Sequence, residues 1–194
     1  MRSDARQNRT RILDSAAALI LEVGGEPTRE ALARRAGVGI GTVYRHFPDS
    51  QSLLHAVARH VLENTIAAGE QIVASDADGE GAVRRYLHEA IEHRIGTVNI
   101  VHPLLDDRDW PDLQARADVV LTTLIDRWHA DEMLSTELSV SDIVFATIRF
   151  GRPLAIGLTS SEDRAIAHGQ LDRYVDGLRS RPPPREGPTR GGSE

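Results

Sequence analysis

The stretch Thr28-Arg29-Glu30-Ala31-Leu32-Ala33-Arg34-Arg35-Ala36-Gly37-Val38-Gly39-Ile40-Gly41-Thr42-Val43-Tyr44-Arg45-His46-Phe47 decides how this chain folds. Pro27 and Thr28 open a helix of about nine residues, with Thr28 as its N-cap, Leu32, Ala33 and Ala36 facing inward and Gly37 ending it. A second short helix runs from Ile40 to His46. Gly37 sits where the backbone must turn sharply between the two, and Ala33 is small enough to let them approach. Leu32, Ala33, Val38 and Val43 make a small core, and the opening from Gly39 to Gly41 presents helix N-terminal amides outward. Short helix, glycine turn, short helix is the pattern of a helix-turn-helix. A plain helical hairpin shares part of it.

Outward from this centre, the periodicity stays helical and predicts an all-α chain. Ile12, Leu13, Ala16, Leu19, Ile20 and Val23 follow three-and-four spacing from Arg9 to Val23, where Gly24-Gly25 stops the helix. Downstream, Ser50 reads as the cap of a helix from Gln51 to about Ala74. Its roughly 24 residues span about 36 Å, enough to link two domains. A further helix carries Val83, Tyr86, Leu87, Ala90 and Ile91, and the segment 96–111 reads as short helical pieces and loop. Helix resumes from Asp112 to about Ala130. Ser139 with Asp142 announces the next, to about Leu158 with a kink or an early end near Arg152, and Ser160 with Asp163 the last, from Glu162 to Leu178. The expected organisation is an N-terminal arm over 1–8, a helix-turn-helix domain over 9–50, a larger helical domain over 51–180 for ligand binding and dimerisation, and a disordered tail over 181–194.

The chain has 194 residues, 40% hydrophobic and 27% charged, with net charge -6 and no cysteine. That composition is globular, and it excludes disulfide frameworks, thiolate zinc sites and cysteine nucleophiles. No apolar run approaches the roughly 18 residues of a membrane span, and no signal peptide is legible, so no membrane is expected and the cytoplasm is the expected compartment. All 23 basic residues are Arg. The absence of Lys reads as the codon bias of a GC-rich genome, with the consequence that every cationic contact uses a guanidinium. Residues 1 to 60 hold nine Arg against six Asp and Glu, whereas the remainder holds fourteen against twenty-three. A +3 head on a -9 body suggests that the head binds a polyanion.

The string Ala36-Gly37-Val38, with Gly41-Thr42-Val43-Tyr44-Arg45-His46-Phe47 after it, Arg11-Ile12-Leu13-Asp14-Ser15-Ala16-Ala17 upstream and Leu53-Leu54 downstream, resembles the DNA-binding domain of the TetR family of bacterial regulators. The likeness covers about residues 6 to 66. It implies a homodimer whose third helices enter successive major grooves of double-stranded operator DNA, a grip weakened when a small-molecule effector binds the larger domain. It places Thr42, Tyr44 and His46 at phosphates or the groove rim, and Ile40, Gly41 and Arg45 where base edges are read. Chemistry agrees, since a guanidinium can pair bidentately with guanine while hydroxyls fix register. The Thr28 amide can also hold phosphate, and Arg2, Arg6 and Arg9 would form an arm along the backbone or minor groove. Tyr44 has a second reading as cover for the small core, and His46 as a solvated histidine. Two departures weaken the expected grip: Gly39 stands where the family often has Ser, and Ser50 near where it often has a phosphate-binding Lys.

In the larger domain, His88-Glu89-Ala90-Ile91-Glu92-His93 is the one cluster that invites a metal. Its histidines are five apart and diverge by about 140 degrees on a helix, which is not a zincin spacing. No phosphate loop, nucleophile elbow or catalytic carboxylate pair is legible, so neither an enzyme nor a cofactor is expected. Trp110, Trp128, Phe145 and Phe150, with His93 and Arg149, are the candidate ligand contacts in a mostly apolar pocket. Arg149 in an apolar helix calls for a partner, either a carboxylate of the protein or an anionic ligand. For dimerisation the candidates are Ala146, Gly151 and Gly157, whose small size permits close approach, and Ile166, Leu171, Tyr174, Val175 and Leu178. The rival function is a small-molecule sensor whose helix-turn-helix controls no gene.

Overall fold

Ile12, Leu13, Ala16, Ala17 and Ile20 are all buried along one side of the first helix, α1 (Arg2–Val23). The computed structural model describes residues 2–75, 77–106, 109–131, 138–154 and 157–178, with residues 2 and 3 described in backbone only. The described elements continue with α2 (Arg29–Ala36), α3 (Ile40–His46), α4 (Ser50–Val73), α5 (Gly79–Glu92) and α6 (Gly96–Val101). A 3-10 turn (His102–Leu104), α7 (Pro111–Ala130), α8 (Val140–Phe150) and α9 (Ser160–Gly177) follow. No strand occurs among the described residues, and none of their helices is long and apolar enough to cross a membrane.

Two hydrophobic cores are joined by α4. The first gathers α1, α2, α3 and Leu53 to Val61 of α4, closed by Val101 and Leu105. The second holds Ile72 of α4 with the inner faces of α5, α7, α8 and α9 around Trp128, which is fully buried. A helix of this length reaches from one core to the other, as its span of about 36 Å requires. The first core thus extends well past residue 50. Arg84 of α5 holds α9 by ion pairs to Asp172 at 2.7 Å and Asp176 at 2.5 Å, beside its own-helix partner Glu80 at 2.8 Å.

Several boundaries differ from the expectation for local reasons. α1 starts at Arg2, so residues 2–8 are its first turns and not a separate arm. The cap of α4 is Asp49, whose carboxylate accepts from the Ser52 amide at 2.7 Å, while the Ser50 hydroxyl donates to Glu26 instead. α8 takes the early end expected near Arg152, stopping at Phe150 before Gly151 and Pro153. The box that opens α9 is Thr159 with Glu162, one residue ahead of the expected Ser160 with Asp163. Residues 181–194, expected as a tail, lie outside the described residues.

Candidate nucleic-acid interface

Thr28 caps α2 as expected, its hydroxyl oxygen accepting from the Ala31 amide at 3.2 Å. Gly37 then takes φ +64 and its amide bonds back to α2 carbonyls, the left-handed stop that favours glycine. Val38 donates to the Ala33 carbonyl at 3.1 Å, which sets the turn into α3. Leu32, Ala33 and Val43 are buried and anchor the pair of helices to α1 and α4. Because Val43 faces inward, its neighbours on α3 face out. Ile40 is 41% and Tyr44 49% exposed, Gly41 and Arg45 are exposed, and Thr42 and His46 are half-buried. Gly39 is the N-cap of α3 and offers no side-chain bond to the amides at that end.

Arg45 lies along its own helix. Its Nε donates to the Gly41 carbonyl at 3.1 Å and a terminal nitrogen donates to the Thr42 hydroxyl at 3.0 Å. Reaching a base edge therefore requires it to exchange two weak, exposed bonds for a bidentate one. Tyr44 does not cover the core; the Arg29 guanidinium lies 5.9 Å from its ring centroid and supports it from the side. Arg29 is a residue the sequence reading passed over. One of its terminal nitrogens is buried without a hydrogen-bond partner, and its closest carboxylate is Glu26 at 4.0 Å. The signal for it lay in its position directly after the cap, where α2 meets α3. Arg9 of α1 rests over the Phe47 ring at 5.5 Å and Arg6 is exposed, so both project from a helix. The Arg2 side chain lies outside the described residues.

The six candidate ligand contacts do not converge. Trp128 is at the centre of the second core, whereas Trp110 packs on the first and donates to His55 at 2.9 Å. His93 faces Glu89 at 3.6 Å. Phe145 is 65% exposed and Arg149 is also exposed, so Arg149 meets water and needs no buried partner. Phe150 packs against Tyr174 with ring centroids 5.5 Å apart, and of the six it alone lines a cavity between the two cores. Among the described residues, no three His, Asp or Glu side chains are grouped to hold a metal. His88 instead meets His168 and Asp172.

The dimer candidates divide. Ile166 is exposed on α9, as are Phe145 and Ile148 on α8, two large side chains the sequence reading had not placed on such a face. Leu171 and Val175 are fully buried in the chain's own second core and Ala146 nearly so, with Tyr174 and Leu178 packed partly against the same core. Leu171, Val175 and Ala146 are taken up within one chain, where α9 packs on α5 and α8, and α8 on α5 and α7. Gly151 sits against Gly96 at the start of α6, a close approach inside the molecule, and Gly157 makes an exposed turn at φ +78.

Residues 12–57 match the family model of bacterial regulatory proteins, tetR family. An HTH-type transcriptional regulator of Staphylococcus aureus is 40% identical over 73 residues, which are 37% of this chain and 40% of that protein, so the chain matches well under half the length of its curated relatives. A TetR transcription regulatory protein from Mycobacterium vanbaalenii shares the fold with a TM-score of 0.63 and 25% identity over 92% of this chain and 99% of that one. LfrR from Mycobacterium smegmatis, solved in complex with proflavine, has a TM-score of 0.60 and 22% identity over 86% of this chain and 95% of its own. With an α2–α3 pair that presents the matched residues outward, residues 12–57 thus carry the segment that matches the tetR family of bacterial regulatory proteins, on a fold that the whole chain shares along most of its length with a TetR regulator.

Proposed function

We propose that the protein is a homodimeric regulator of transcription that binds palindromic operator DNA through α3, represses from there and is released by a small-molecule effector in the cytoplasm. The carrying observation is the outward face of α3, where Ile40, Gly41, Tyr44 and Arg45 are exposed around a buried Val43. In this reading Ile40, Gly41 and Arg45 meet base edges. Thr28, Thr42, Tyr44 and His46 hold phosphates, and Arg6 and Arg9 extend the contact along the backbone from α1. The exposed Phe145, Ile148 and Ile166 support pairing with a second copy across a two-fold axis, which would bury apolar surface left bare in one chain. The proflavine bound to LfrR supports effector binding as a use of this fold.

The test is fluorescence anisotropy of the full chain on DNA flanking its own gene, over a salt series, against random competitor. Tight, palindrome-dependent binding with a steep salt slope is the expected result. Weak binding that ignores sequence would overturn the operator reading in favour of a sensor without a gene target.

A further inference from the structure

A cavity of about 480 Å³ opens between the helix-turn-helix head and the larger domain, within the usual size of small-molecule sites. Leu21 of α1, Ile91 of α5, Ile100 of α6 and Phe150 of α8 give it an apolar lining. Its charged lining is Arg35, Arg94, Arg152 and Arg164 against only Glu22 and Asp163, a positive concavity in a chain of net charge -6. Two of these guanidiniums are engaged, Arg35 with Glu22 and Arg164 with Glu92 at 3.2 Å. Asp163 is engaged as well, accepting from the Leu154 amide at 2.7 Å. The guanidiniums of Arg94 and Arg152 make neither a hydrogen bond nor a close ion pair among the described residues, although the Arg94 charge is near enough to Glu22 to help lower that carboxyl.

The backbone adds a second, independent observation. Arg94 has φ +60, and it is the one non-glycine with positive φ among the described residues. It closes α5 in the manner of a glycine: its amide donates to the Ile91 carbonyl at 2.9 Å and the Ile95 amide to Ala90 at 3.0 Å. Glycine takes the same conformation at Gly24, Gly37 and Gly157. Turn geometry alone would favour glycine here too. An arginine in a strained position, with a guanidinium that no hydrogen bond holds at the rim of a cavity, points to a role in that cavity.

We propose that this cavity binds an amphipathic organic anion, with Arg94 and Arg152 holding a carboxylate or sulfonate and the lining from Leu21 to Phe150 holding its apolar body. Its walls include the ends of α1 and α2, which carry the reading helix. An anion that fits one disposition of head and body better than another therefore shifts DNA affinity by that difference. The regulatory step rests on the DNA-binding reading above; occupation of the cavity does not.

The test is isothermal titration calorimetry of the full chain without DNA, using decanoate and, at equal chain length, decylammonium. Saturable decanoate binding is expected, with decylammonium at least about tenfold weaker. Arg94→Gly should weaken decanoate by about tenfold or more, as loss of a charge-assisted contact does, while thermal stability is kept or raised because the turn is relaxed. Arg94→Lys should retain most of the binding. No saturable decanoate binding, equal binding of the ammonium, or unchanged affinity in Arg94→Gly would overturn the site. Decanoate binding that needs Arg94, in a protein that binds no operator, would leave the cavity standing and remove only its regulatory use.

Discussion

Glu22, near the end of α1, accepts two hydrogen bonds from the Arg35 guanidinium of α2, at 2.8 and 2.9 Å, and a longer one from the Ser160 hydroxyl at the start of α9. One carboxylate thus touches both the reading head and the larger domain. The Arg35 hydrogen bonds hold the Glu22 carboxyl below its ordinary range against a smaller opposing effect of burial. A carboxyl depressed in the folded state adds stability that is full above its unfolded value, about 4.3, and is lost as pH falls through the folded value. Arg35→Ala should destabilise by no more than about 1 kcal/mol near neutral pH, since both groups are partly exposed. In urea titrations the gap between variant and parent should narrow as pH is lowered through about 4 and below. A gap that stays constant would show that the charge pair contributes nothing.

Two glycines should respond differently to the same methyl. At Gly37 a β-carbon meets open space and the cost is the left-handed backbone alone, about 1 kcal/mol for Ala and less for Asn. At Gly96 it would overlap the Gly151 carbonyl oxygen, so backbone must move where α6 meets the end of α8. Gly96→Ala should therefore cost more, about 1 to 3 kcal/mol or beyond. Thermal melts of the three variants give the order directly, and a Gly96→Ala protein as stable as Gly37→Asn would refute the close approach.

Arg45→Ala should relax discrimination at one base position per half-site, a loss of about 1 to 3 kcal/mol there. Thr42→Ala should weaken all sequences alike, because a phosphate contact carries no sequence information. Binding to a panel of single-base operator variants separates the two. Unchanged selectivity in Arg45→Ala would mean that the guanidinium stays on Gly41 and Thr42 in the complex.

Phe145→Glu should yield a folded monomer. The side chain is 65% exposed, so its replacement leaves the chain's own core intact, while a charge placed on an apolar contact opposes pairing. Sedimentation velocity should show the smaller species with an unchanged far-ultraviolet spectrum. A dimer of undiminished affinity would remove Phe145 from the interface.

The reading head was legible because its determinants are local. Thr28, Ala33, Gly37 and Val43 act within a few residues of one another, through a cap, a close approach, a left-handed turn and a buried anchor, and each occupies its expected place. Arg29 escaped because its contact with Tyr44 crosses between two helices. In the larger domain the apolar stripes were visible, but what each stripe faced was not. Leu171 and Ile166 belong to one helix pattern, and one is fully buried while the other is 38% exposed.

From the sequence alone followed the helical class, the helix-turn-helix and its outward residues, and the division into a basic head and an acidic body. These rest on spacing along the chain and on charge counts. Tertiary structure decided that Leu171 and Val175 fill their own core, that Phe145 and Arg149 face water, and that Arg94 stands at the rim of a cavity lined also by Glu22 and Arg152. Periodicity tells a helix which of its faces is apolar, but whether that face meets its own chain, a second chain or a ligand depends on groups brought close in space from distant parts of the sequence.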